Sequence, residues 1–209
     1  MLPDDLVDAW AHGRVTHFQA DPKTGSGTVT FDLEDVYRCI RRVGEGKNAR
    51  GERFDGGIRG VRSFAADYGS RSGVSGLFAL ADRITGGGKK VWMWQLPPAE
   101  RDGPAWTLDV QSNAFTLAYK DASLKATFVS PKSAKIAQVR GRMKANQLSG
   151  ISDADVNAIH VTGEDSAVGD FFVVMTLQKG AAPEVKADGV KARVGERTVV
   201  FDGKKLAIE

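Results

Sequence analysis

Apolar and polar positions alternate along most of the chain, and the apolar runs are short. In residues 28–33 (TVTFDL), Val29, Phe31 and Leu33 alternate with polar neighbours, as in a half-exposed antiparallel strand. Residues 170–178 (DFFVVMTLQ) are almost continuously apolar at their centre, which is typical of a fully buried strand. Turn-bounded runs predict further strands at residues 14–20, 36–43, 58–67, 106–110, 114–120, 124–130, 190–194, 198–201 and 206–208.

The centre of this pattern is residues 61–97, where two apolar runs flank a glycine-rich segment. The runs are residues 76–81 and 91–96, and ITGGGKK lies between them. Glycine adopts positive φ at little cost, so this arrangement predicts a long hairpin with ITGGGKK as its turn. Because side chains alternate between the faces of a strand, Trp92 and Trp94 are expected on one face.

Three other segments have weaker patterns. Residues 44–57 are rich in glycine and charge, which predicts a long surface loop; a ligand loop carrying Arg50 and Arg53 is the alternative. In residues 132–149, Ile136 and Val139 predict one further short strand. Residues 150–166 are polar and are expected to form a loop or one helical turn.

The regular spacing of short strands and turns predicts an all-β fold. The expected architecture is a two-layer antiparallel β-sandwich, of the supersandwich kind, with about twelve to sixteen strands. A chain of 209 residues can bury one substantial core, so residues 1–209 are expected to form a single domain.

Composition narrows the class of protein without identifying a function. Hydrophobic residues make up 42% of the chain and charged residues 26%, as in an ordinary soluble globule. The net charge of +3 is mild and its charges are interspersed, which indicates a mixed surface and no nucleic-acid interface, although it suits an acidic polysaccharide. No apolar run approaches 18 residues, so no membrane span is expected. Cys39 is the single cysteine, which excludes an intrachain disulfide; we expect it to be a small, buried or half-buried residue.

Six segments together resemble a known family. They are residues 79–97 (ALADRITGGGKKVWMWQLP), 29–38 (VTFDLEDVYR), 60–68, 115–131 (FTLAYKDASLKATFVSP), 171–180 (FFVVMTLQKG) and 194–209 (VGERTVVFDGKKLAIE). In type and order they resemble strands of the β-sandwich half of heparinase II/III-type polysaccharide lyases. The resemblance covers most of residues 14–209 and involves no catalytic motif.

The resemblance implies a scaffold and not a complete enzyme. Lyases of this family abstract a proton α to a uronic-acid carboxylate, using Tyr and His that lie mostly on an α/α barrel N-terminal to the sandwich. This chain has no room for such a barrel. The resemblance therefore implies a non-catalytic sandwich domain that packs against a helical catalytic domain and helps form a cleft for an acidic polysaccharide.

The resemblance also bears on location and metal binding. Members of the family that the chain resembles are usually exported, which would place the chain in the periplasm or outside the cell. Residues 1–13, which could form a short helical turn, are acidic and lack a signal-peptide core. The chain is thus expected to be an excised domain or a stand-alone cytoplasmic relative. Where the family often carries a structural zinc ligand, this chain has Gln95, a poor ligand, so we expect no metal and no cofactor.

The candidate binding residues are aromatic and basic. A sugar-stacking platform could be formed by Trp92, Trp94, Trp106 and Tyr68, with core packing as the alternative for the first two. Arg59 and Arg62 could hold carboxylates or sulfates by paired hydrogen bonds, whereas Arg83, next to Asp82, suits a structural ion pair. The histidines, His12, His17 and His160, lack the spacing of a metal site.

Three hypotheses remain open at this stage: the non-catalytic scaffold, a free-standing carbohydrate-binding module, and a lyase with an unrecognised site. An exposed apolar patch on one sandwich face would favour the scaffold, because it would mark the surface for a companion domain. A groove that combines the tryptophans with arginine would favour the binding module.

Overall fold

The computed structural model describes residues 13–34, 39–48, 50–54, 57–96, 106–143, 154–165 and 169–209. These residues form seventeen strands and two short 3-10 turns, Gly46–Asn48 and Ser70–Ser72. Every recorded strand pairing is antiparallel. The prediction of an all-β antiparallel sandwich is therefore confirmed, with one strand more than the upper end of the expected range.

The largest sheet has eight strands. In spatial order they are β1 (Arg14–Ala20), β2 (Gly27–Asp32), β5 (Arg59–Asp67), β6 (Gly76–Thr85), β13 (Asp170–Lys179), β10 (Ala122–Ser130), β9 (Ala114–Tyr119) and β8 (Thr107–Val110).

Three smaller units complete the described fold. A three-stranded sheet has the order β11 (Lys135–Met143), β12 (Ala154–Thr162), β7 (Trp92–Gln95), and a four-stranded sheet is a meander of β14 (Lys186–Asp188), β15 (Lys191–Val194), β16 (Arg197–Phe201) and β17 (Leu206–Ile208). A separate hairpin joins β3 (Cys39–Val43) to β4 (Arg50–Phe54).

The two smaller sheets cover opposite faces of the eight-stranded sheet, and strand β13 lies between them. Phe172 and Val174 share one apolar core with the four-stranded sheet, whereas Phe171, Val173 and Met175 share a second core with the three-stranded sheet. Successive side chains of a strand point to opposite faces, so both faces of β13 are buried. This double burial explains why the sequence of β13 is almost uninterruptedly apolar, as predicted.

The predicted hairpin between the runs at 76–81 and 91–96 is wrong. Strand β6 pairs with β5 and β13, while β7 pairs with β12 in the other sheet. Both edges of β6 are therefore occupied, and the glycine-rich segment carries the chain from one layer to another. The expected turn chemistry holds, because Gly86 and Gly87 have positive φ (75° and 66°).

Two segments expected to be irregular are strands. Strand β4 lies in the charged segment 44–57 and pairs with β3 over five residues, and β12 lies in segment 150–166, where it is the central strand of its sheet. Pairing uses backbone N–H and C=O groups, so a polar segment can complete a sheet. Segment 132–149 contains the predicted strand, β11, which is longer than expected. The predicted helical turn of the N-terminal segment lies almost entirely outside the described residues.

We predict that the two faces of β13 are of equal importance for stability. Phe171→Ala and Phe172→Ala should each lower the free energy of unfolding by about 3–5 kcal/mol, because each empties one of the two cores. Urea denaturation followed by circular dichroism measures this. Phe18→Ala, at a side chain that is 71% exposed, is the matched control and should change stability by less than about 0.5 kcal/mol. A large loss from only one of the two core variants would contradict the prediction.

Candidate functional site

The predicted tryptophans lie in and around the core between the large and the three-stranded sheets. Trp92 is 3% exposed and meets the ring of Phe128 edge-on, with the centroids 5.2 Å apart. The ring of Trp94 stacks on Trp92 at 5.8 Å, which confirms that the two share a face. Trp94 and Trp106 are half-buried against the same core. The ring of Trp92 therefore has the packing role given above as the alternative and has no face open to a sugar.

Tyr68, Arg59 and Arg62 lie on or beside β5, in a different part of the large sheet. Tyr68, 51% exposed, packs edge-on against Phe78 with 5.7 Å between ring centroids. Arg62 donates from Nε and Nη2 to the two carboxylate oxygens of the buried Asp82, at 2.6 and 2.8 Å.

The remaining arginines of the set also pair with acids. Arg59 Nε lies 3.4 Å from Glu34 Oε1. Arg83 forms the expected structural ion pair, although its partner is Asp170 across the strands, with hydrogen bonds of 3.1 and 3.2 Å. The structure thus does not gather the predicted aromatic and basic residues into one site, and carbohydrate binding by Tyr68, Trp94, Trp106 or the arginines remains a prediction.

A bulge in the edge strand β1 creates two surfaces that the sequence pattern does not reveal. Simple alternation would put Val15 and His17 on the same face. The register with β2 shifts between these two residues, so Val15 opposes Phe31 and Phe18 opposes Val29. Val15 and Phe18 therefore share one face, and His17 and Gln19 share the other.

The first of these surfaces is an apolar area on strands β1, β2, β5 and β6, which we call the open face. It consists of Val15, Phe18, Val29, Phe31, Phe64 and Phe78. It continues the side of β13 that the three-stranded sheet buries, but exposure rises steadily toward the sheet edge: Val173 on β13 is fully buried, Phe64 and Phe78 are half-buried, and Phe18 is 71% exposed. Arg62 borders the open face at one end and Tyr68 at the other. The open face thus places the exposed side chains of Val15 and Phe18 next to half-buried apolar residues of the inner strands.

The second surface is a groove of about 270 Å³ between the edge of the large sheet and strand β17. His17, Gln19 and Thr28 line one side, and Lys205 lies on the other. At its base, Arg197 donates from Nε and Nη2 to the carboxylate of Asp67, at 2.7 and 3.2 Å. This pair joins the large sheet to the four-stranded sheet, although Asp67 and Arg197 are 130 positions apart in the sequence.

Asp67 is held as a carboxylate by several donors. Burial alone would raise its pKa, but the backbone N–H of Gly69, the guanidinium of Arg197 and the hydroxyl of Ser26 together outweigh burial and hold the pKa below its usual value. The pair leaves little room for a side chain at Gly69, because a Cβ atom there would lie 3.0 Å from Asp67 Oδ1 and 3.2 Å from Arg197 Nη2.

The two described histidines lie in different sheets, His17 on β1 and His160 on β12. In the described part of the chain, no three His, Cys, Asp or Glu side chains are placed to hold a metal ion. No helix there has the length and hydropathy to cross a bilayer.

Comparison with known proteins identifies the fold alone. No family model and no curated protein matches the sequence. Two crystal structures of the heparan sulfate lyase HepC from Pedobacter heparinus, one of them a mutant, align with 94% of this chain at 12% and 13% identity, each with a TM-score of 0.53. A crystal structure of heparinase III aligns with 95% of the chain at 12% identity, with a TM-score of 0.52. In all three, the chain spans only 27% of the length of the other protein.

We predict that the Asp67–Arg197 pair stabilises the fold above the ordinary pKa of an aspartate and loses this effect in acid. The folded-state pKa of Asp67 is depressed, so the contribution is complete above about pH 4 and declines as pH falls through the folded-state pKa. Asp67→Asn should cost about 3 kcal/mol of unfolding free energy at pH 7 and should flatten the acid limb of the stability profile.

Urea titrations from neutral to acid pH measure this effect. Asp121→Asn is the control, because Asp121 pairs with Lys179 at the surface, where both side chains are more than two-thirds exposed. It should change stability by less than about 1 kcal/mol. Equal effects of the two substitutions would contradict the prediction.

Proposed function

We propose that this chain is a non-catalytic β domain that docks through its open face onto a helical catalytic domain of a heparinase-like protein and helps wall a carbohydrate cleft. The observation that carries the proposal is the open face itself. Its outermost side chains, Val15 and Phe18, are 54% and 71% exposed, which is costly for apolar groups unless another surface covers them.

The fold comparisons support the proposal in one respect. A heparan sulfate lyase and heparinase III contain a portion with this fold that makes up about a quarter of their length. Most of each protein therefore lies outside the portion that this chain resembles. The resemblance implies that this other portion is helical. We infer that the open face packs against a helical domain of the same kind.

The arrangement of titratable side chains supports a non-catalytic role. Proton abstraction needs a base, an acid and a group that neutralises the substrate carboxylate around one carbon atom. Among the described residues, His17 and His160 lie in separate sheets, and the guanidinium groups of Arg62, Arg83 and Arg197 are each held by a carboxylate. These guanidinium groups are therefore already paired within the sheets.

We predict that a photo-crosslinking residue at position 18 will capture the companion domain. A tagged chain with p-benzoylphenylalanine in place of Phe18, expressed in the organism that encodes it, should crosslink to one helical catalytic polypeptide. When that polypeptide is purified, Phe18→Asp should weaken its binding at least about tenfold, because a carboxylate would be buried in the apolar contact.

Val190 is the matched control, since it is also an exposed apolar residue (54%) and lies beside the four-stranded sheet, away from the open face. Val190→Asp should leave binding unchanged. The docking proposal fails if Phe18→Asp binds as well as the unchanged chain. It also fails if p-benzoylphenylalanine at position 190 crosslinks to the same products as at position 18. Activity of the chain alone on heparan sulfate, read as ultraviolet absorbance of an unsaturated product, would reject the non-catalytic role.

A further inference from the structure

The groove between β1 and β17 has the features of a small binding site for an uncharged, hydroxyl-bearing ligand. It lies on the opposite face of β1 from the open face, because the bulge turns His17 and Gln19 away from Val15 and Phe18. A companion domain seated on the open face would therefore leave the groove accessible.

The charges that line the groove balance one another. Two are positive, Arg197 and Lys205, and two are negative, Asp21 and Asp67. Asp67 accepts hydrogen bonds from the guanidinium group of Arg197. Asp21 accepts hydrogen bonds from the backbone N–H of Lys23 and the hydroxyl of Thr24, within its own turn. The four charges sum to zero, so an anionic ligand has no particular advantage there.

The neutral polar side chains are suited to hydroxyl groups. Gln19 and Thr28 are direct cross-strand partners, so their side chains are neighbours on one face of the sheet. The amide of Gln19, the hydroxyl of Thr28 and the imidazole of His17 can each donate and accept a hydrogen bond. In the described part of the chain, none of these three side chains is already hydrogen-bonded to another side chain.

The groove also has an apolar side and a limited size. Its lining is mixed: the apolar part comes from Ala20, Ala66, Leu206, Ala207 and Ile208. Its volume of about 270 Å³ is slightly below the range of about 300–1,000 Å³ for pockets that hold drug-sized ligands. A single six-membered ring with hydroxyl substituents on its rim and C–H groups on its face meets these requirements of size and polarity.

We infer that the groove binds one uncharged sugar residue of a glycan, with hydrogen bonds from Gln19, Thr28 and His17. The choice of a sugar rests on the carbohydrate part of the proposed function. The position of the site does not depend on docking of a companion domain, because the two surfaces lie on opposite faces of the same strands.

Titration of the ¹⁵N-labelled full chain with D-glucose, N-acetyl-D-glucosamine and D-glucuronate, followed by amide NMR shifts, tests the inference. At least one of the two neutral sugars should produce saturable shifts at Gln19, Thr28 and Lys205 with a millimolar dissociation constant. Gln19→Ala should weaken that binding about fivefold, as expected for loss of one or two hydrogen bonds. The dispersion of the same spectra shows whether the variant is folded.

Gln111→Ala is the matched control, because Gln111 is an exposed glutamine that follows β8 at the opposite edge of the large sheet, and it should leave binding unchanged. Phe18→Asp should also leave sugar binding unchanged while it weakens docking, so the two proposals can fail separately. The inference is overturned by the absence of saturable shifts with either neutral sugar, by shifts located away from the groove, or by a response to glucuronate alone that disappears in salt.

Discussion

The fold depends on the burial of strand β13 on both of its faces. A strand in a sandwich with one core needs apolar side chains at every second position, whereas β13 has Phe171, Phe172, Val173, Val174 and Met175 in succession, each 2% exposed or less. Such a strand is stable only if a second layer covers each side. The four-stranded and three-stranded sheets supply these layers, and the rest of the large sheet extends outward from this doubly covered centre.

The smaller sheets do not extend to the edge of the large sheet, and this limit produces both candidate surfaces. On one side, the three-stranded sheet covers less of the large sheet beyond β6, which leaves the open face exposed. On the other side, β17 lies against β2 and β5 and leaves the groove next to β1. Polar contacts fix this second junction: Ser63 Oγ shares a hydrogen bond with Thr30 and accepts one from the backbone N–H of Leu206, both at 2.9 Å. The edge strand β1 thus has a polar face that lines a defined groove and an apolar face that remains exposed.

The sequence predicts the strands of this molecule better than it predicts their pairing. Alternation and apolar runs identify β2, β5, β13 and the final meander, because those patterns record which side chains are buried. They cannot identify the partner of each strand, so the pattern predicts one hairpin for β6 and β7 although these strands lie in different layers. Strand β12 has little apolar alternation and is recognisable only from its backbone pairing on both sides.

The candidate surfaces were harder to predict for a related reason. The open face requires Val15 and Phe18 to share a side, which strict alternation forbids and a single bulge permits. The Asp67–Arg197 pair spans 130 residues, and no local signal joins them. Trp92 and Arg62 are candidate binding residues in the sequence because of their residue types. In the structure, Trp92 packs in a core and Arg62 pairs with Asp82.

The function that we propose for this chain relies on surfaces and not on reactive groups. Among the described residues, three aspartates are paired with arginines: Asp67 with Arg197, Asp82 with Arg62 and Asp170 with Arg83. Asp67 and Asp82 are buried, so breaking either of their pairs would cost stability, which opposes its use in catalysis. An apolar face at the edge of the sheet has no such conflict, because covering it removes apolar surface from water and does not require an ion pair to be broken. For these reasons we propose a scaffold that docks through one side of β1, β2 and β5 and presents a polar groove on the other.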